Sequence, residues 1–164
     1  MRKITLLILI SVLAAACGDK AAVEENGIDK QPFTSKAELI WQDKCYECEM
    51  ERSDSESLKI TLKGDNLHVP ICFEITQGGY RAAQGELEFS MPFEDMQPQS
   101  AAAEIFRTFM LLGQAEAERT GDIITYKVSS SVLKYDKKAN VITSLETENG
   151  KLTFKDFAFN GKPE

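Results

Sequence analysis

Residues 58–75 read LKITLKGDNLHVPICFEI, and the parity of that stretch decides the class of fold. Leu58, Ile60 and Leu62 alternate with Lys59, Thr61 and Lys63. A period of two marks a strand with one face buried and one wet. Gly64-Asp65-Asn66 is turn chemistry, after which Leu67, Val69, Ile71, Phe73 and Ile75 alternate again, so the stretch predicts a β-hairpin. Pro70 cannot donate to a ladder, which predicts an edge position or a bend in the second strand.

The same pattern extends downstream. Gln77-Gly78-Gly79 turns the chain toward short strands over Tyr80–Ala83 and Glu86–Ser90, and Pro92 and Pro98 bracket a break. From Ser100, an expected N-cap, the sequence AAAEIFRTFMLLGQAEAERT predicts a helix that stops at Gly121. Its apolar stripe runs through Ile105, Phe106, Phe109 and Leu112 and must pack on the sheet. Three more strands are expected: Asp122–Ser129 continuing to Tyr135, Val141–Thr147, and Lys151–Phe159. Leu152 and Phe154 share one parity in the last strand and Phe157 and Phe159 the other, which a bulge near Lys155-Asp156 reconciles. The expected class is α+β, an antiparallel β-sheet with one amphipathic helix packed across it.

The N-terminus carries a different signal. Residues 1–17 read MRKITLLILISVLAAAC: a cationic start, an apolar run, and small residues before Cys17. That is the layout of a secretory signal peptide. The run from Ile4 to Ala16 spans about 20 Å as a helix, short of the roughly 30 Å hydrocarbon thickness, so a permanent transmembrane helix is disfavoured. The segment resembles the bacterial lipobox, with Ala14 where Leu is usual. The resemblance implies a signal peptide over residues 1–16, fatty acids on the Cys17 thiol, and Cys17 as the new N-terminus. Gly18, in place of the Asp that favours inner-membrane retention, implies an outer-membrane destination facing the periplasm. Residues 17–36 then read as lipidated cysteine and flexible tether, and 37–164 as a single domain.

Charge limits the partners. The chain holds 19 basic and 26 acidic residues for a net −7, and removing Arg2 and Lys3 with the signal takes it to −9. Nucleic-acid binding needs phosphates neutralised, so nucleic acid is not an expected partner. An anionic bilayer also repels such a surface, which leaves the lipid anchor as the contact with the membrane.

Three readings compete for Cys45, Cys48 and Cys72. A thioredoxin-like exchanger would use Cys45-Tyr46-Glu47-Cys48, but Asp43, Glu47, Glu49 and Glu51 crowd the motif, whereas a reactive thiolate needs cations or a helix N-terminus. A zinc site would use Cys45, Cys48, His68 and Cys72 in a C-x2-C-x19-H-x3-C spacing. On a strand, however, His68 and Cys72 lie about 13 Å apart. The structural reading, favoured by an oxidising compartment, forms one disulfide among the three cysteines and leaves its connectivity open. His68 reads as a surface or sheet-face residue, and the run Glu47, Glu49, Glu51, Asp54, Glu56 as a solvated stretch. No spacing fixes a catalytic pair, a calcium loop or a phosphate loop. No cofactor is expected.

Gly150-Lys151-Leu152-Thr153-Phe154 followed by Asn160-Gly161-Lys162-Pro163 resembles the C-terminal ends of the YdgA-like family of bacterial envelope proteins, over the last third of the chain. The resemblance implies an envelope location and no particular site residue. The sequence therefore predicts a membrane-anchored, non-enzymatic lipoprotein with a binding or structural domain and an envelope protein as partner. The alternatives are a thiol-redox or zinc protein and a periplasmic inhibitor or immunity protein.

Overall fold

Phe33, Ser35, Ala37 and Leu39 are buried while the residues between them face outward, and this alternation opens a sheet that takes up more than half of the described residues. The computed structural model describes residues 27–97 and 100–160. Six strands come first: β1 (Phe33–Trp41), β2 (Lys44–Arg52), β3 (Ser57–Lys63), β4 (Ile71–Thr76), β5 (Tyr80–Gln84) and β6 (Leu87–Met91). Helix α1 (Ala101–Met110) follows, and then β7 (Glu116–Thr120), β8 (Ile123–Val128), β9 (Ser131–Asp136), β10 (Val141–Glu146) and β11 (Gly150–Phe159). All eleven strands form one antiparallel sheet in the order β6-β5-β4-β3-β2-β1-β11-β10-β9-β8-β7. Two meanders are thus zipped together by β1 against β11, and α1 lies in the connection between the two free edges.

The class is all-β, which corrects the α+β expectation. Among the described residues the α-helix, of 10 residues, cannot make a second layer for eleven strands. Its partner is the sheet itself. Ile75 on β4 and Ile124 on β8 are both buried in the same core, yet they stand seven strand steps apart, about 34 Å if the sheet were flat. A helix is only about 10–12 Å across with its side chains. The sheet must therefore curl around α1, as the right-handed twist of antiparallel strands allows. Phe109 packs against Phe33 at 5.1 Å between ring centroids and Phe106 against Phe93 at 5.0 Å. The Ser100 side chain accepts from the Ala103 N–H at 3.2 Å, the cap read from sequence.

Other boundaries also move. The helix ends at Met110 and not at Gly121; residues 116–120 pair with β8 instead, and Gly121, with φ of +63°, is the turn glycine of that hairpin. The expected strand from Asp122 to Tyr135 is two strands, folded back at Ser129, which takes a positive φ of 53°. Pro70 lies just ahead of β4, which sits between β3 and β5 and not at an edge. The fold also starts before residue 37, since Ile28 is buried and β1 begins at Phe33. The bulge near Lys155 is present: Lys36 pairs with Asp156 and Ala37 with Phe154, leaving Lys155 as the extra residue. Cys17 and the signal segment lie outside the described residues.

Candidate functional site

The cysteines come first, because strand parity decides their chemistry. Cys45 and Cys48 both sit on β2, three residues apart, and so point to opposite faces. Cys45 is exposed and Cys48 is buried in the core, while Cys72 on β4 is half-buried. Cys72 pairs with Thr61 and Thr61 with Glu49, which places Cys72 on the outer face. From that row Cys45 lies two strands away and four residues along, roughly 16 Å. A disulfide needs Cα atoms within about 4.4–6.8 Å. All three are free thiols, so the expected disulfide is not formed. Burial pushes the Cys48 thiol up to about 12, with the Glu49 carboxylate adding to the rise, which is the opposite of activation. His68 is exposed in the loop before β4. Cys45, Cys48, His68 and Cys72 do not converge, and among the described residues no three His, Cys, Asp or Glu side chains could hold a metal ion.

Two surfaces remain. The larger is a hollow of about 790 Å3 lined by residues of β10, β11 and β1–β3. Lys36, Lys59 and Lys155 face Glu49, Glu51 and Asp156 there, so its charge balances. Several of these groups are already engaged in ion pairs: Glu49 with Lys63 at 2.8 Å and Lys155 with Glu38 at 3.0 Å. The Lys63 hydrogen bond holds the Glu49 carboxyl below the usual range. Such paired, solvated charges organise the sheet surface and bind little by themselves.

The second surface is apolar. On β6 the side chains of Leu87 and Phe89 point to the inner face, yet they are 76% and 53% exposed. They rim a hollow of about 220 Å3 floored by Ile71 and Ala82. Gln84 Nε2 donates to the Val69 carbonyl oxygen at 3.1 Å and holds the 64–70 loop beside it, with Val69 42% exposed. On the outer face of the same strands Arg81 bridges Glu74 at 3.0 Å and Glu88 at 2.8 Å. Among the described residues β6 has one hydrogen-bonded neighbour, β5, so its other side presents unpaired backbone groups. The sequence reading found the strand but not this site. Leu87-Glu88-Phe89 reads the same in a central strand as in an edge strand, and only the strand order distinguishes them.

Comparison with known protein families gives no match, and a search among curated proteins gives none.

Proposed function

We propose that this is a lipid-anchored protein of the bacterial envelope, held by Cys17 at the outer membrane and facing the periplasm. In this reading its domain binds another protein at the corner made by β4, β5 and β6 and performs no chemistry of its own. The observation that carries the reading is the exposure of Leu87 (76%) and Phe89 (53%) on an edge strand, beside an apolar hollow. Contiguous exposed apolar surface on a soluble face marks a contact site. The opposite edge supports the contrast: β7 carries Glu116, Glu118 and Arg119, all exposed, the usual protection of a free edge against pairing. A protein partner suits this corner better than lipid does. Unpaired N–H and C=O groups need hydrogen-bond partners that acyl chains cannot supply, and the acidic domain is repelled by anionic headgroups.

The test has two arms in intact cells producing the full chain. Cys17→Ser should move the protein from the membrane fraction to the soluble periplasmic fraction and abolish incorporation of labelled fatty acid. A photo-crosslinking residue at Leu87 or Phe89 should capture a discrete envelope protein, while the same residue at Thr120 on the other edge should not. Crosslinks of equal yield from both edges, or none from either, would remove the docking reading. Membrane retention of Cys17→Ser would remove the anchor.

A further inference from the structure

We propose that β6 accepts an extended segment of its partner as an added strand, and that this segment carries a Lys or Arg flanked on both sides by apolar residues. The inference rests on the docking reading above and names the chemistry of what docks.

Backbone geometry supplies the first half of the argument. A five-residue edge strand presents alternate N–H and C=O groups outward, and another strand satisfies them with the same ladder the sheet already uses. Side-chain parity supplies the second half. On the outer face charges of alternating sign step toward the edge: Lys59 on β3 lies opposite Glu74 on β4, Glu74 opposite Arg81 on β5, and Glu88 on β6 lies one diagonal step from Arg81, whose register partner is Ser90. They are linked in that order at 3.9, 3.0 and 2.8 Å. The row ends on a carboxylate at the open edge, and its next member is a cation. A residue placed opposite Glu88 lies on the outer face, so its two chain neighbours fall on the inner face beside Leu87 and Phe89. Apolar side chains there extend the surface formed by Ile71, Ala82, Leu87 and Phe89. The motif that fits is apolar–cationic–apolar in extended form.

A second copy of the chain fits less well. Antiparallel pairing of two β6 strands about Phe89 sets Glu88 opposite Ser90, which leaves the charge row without its cation.

The experiment uses the mature chain from residue 17 carrying Cys17→Ser, with a labelled nine-residue peptide alternating valine with lysine and threonine. Binding should slow hydrogen exchange at residues 87–91. Glu88→Gln should weaken it by about two- to fivefold, the range of an exposed ion pair. Glu88→Lys should prefer a peptide with glutamate in place of lysine. Methylating alternate backbone nitrogens of the peptide keeps its charge and side chains but should abolish binding. Equal binding of the methylated peptide, protection on strands other than β6, or no binding of either peptide overturns strand addition. Crosslinks from Leu87 to its own chain overturn it in favour of a second copy. The two readings are separable: if Leu87 and Phe89 crosslink to an envelope protein while the peptides do not bind, docking stands and strand addition falls, whereas equal or absent crosslinks at both edges remove docking itself.

Discussion

Cys45 and Cys48 are three residues apart and chemically far apart, because a strand sends them to opposite faces. In the native protein a thiol reagent should modify Cys45 fast, Cys72 more slowly and Cys48 only after unfolding, which mass spectrometry of the labelled protein resolves site by site. Labelling of Cys48 at the rate of Cys45 would contradict the inward placement. The raised Cys48 pKa also sets a pH dependence. In the unfolded chain this thiol ionises near 9, and in the fold near 12, because burial disfavours the thiolate. The fold therefore binds the proton more tightly, so its contribution is complete below about pH 9 and is lost as pH rises toward 12. The slope approaches about 1.4 kcal/mol per pH unit within that window. Denaturation as a function of pH should show this slope, and Cys48→Ala should flatten it. Arg52 is a buried inward-facing cation, placed opposite Phe33 and 5.8 Å from the Phe109 ring. Its guanidinium donates to the carbonyl oxygens of Asp29, Asp54 and Ser55, tying the entering chain to the β2–β3 turn. Arg52→Met keeps much of the volume but orphans those carbonyls. It should cost on the order of 2–3 kcal/mol and raise hydrogen exchange over residues 28–33.

Among the elements, α1 does more than its length suggests, because it supplies five apolar residues, Ala102, Ala103, Ile105, Phe106 and Phe109, to the core inside the curled sheet. Phe109 is buried against Phe33, and Ile105 and Phe106 are buried beside it. Phe109→Ala should cost about 3–5 kcal/mol, and Ser100→Ala about 1 kcal/mol through the lost cap. Both are read from chemical denaturation, and a Phe109→Ala variant as stable as wild type would mean that the helix is not the plug. The helix start was legible because Ser100 is a cap followed by alanines, with the apolar stripe behind them. Its end was not, since Glu-Ala-Glu-Arg-Thr favours a helix locally and only pairing with β8 makes it a strand. The β3–β4 hairpin and the bulge at Lys155 were legible from parity, although the second strand starts at Ile71 and not at Leu67, so the connection runs over 64–70. β1 and β2 were not, for two reasons. Their inner row is interrupted by the polar Ser35 and Arg52, and their turn is Gln42-Asp43, with positive φ at both residues and no glycine to announce it.

Among the described residues the sheet has two free edges, a consequence of the eleven-strand order, and no single segment of sequence reveals which strands are left there. That is why the apolar corner escaped the sequence reading although Ile71, Ala82, Leu87 and Phe89 were each read as strand. The two edges are built differently, and the difference predicts how the protein behaves when it is stressed. An edge bearing charges resists pairing with copies of itself; an edge bearing exposed Leu and Phe invites it. Replacing Leu87 and Phe89 with Lys removes little buried surface, because both side chains are more than half exposed. Stability should stay within about 0.5 kcal/mol of wild type, while aggregation of the concentrated protein on mild heating should fall markedly. Converting Glu118 and Arg119 on β7 to Val should do the reverse, leaving the midpoint of unfolding near its original value and raising aggregation. Light scattering beside a denaturation curve measures both quantities on the same sample. If the double Lys variant aggregates like wild type at unchanged stability, β6 is not a pairing-competent edge, and a docking role for its exposed Leu and Phe loses its physical basis.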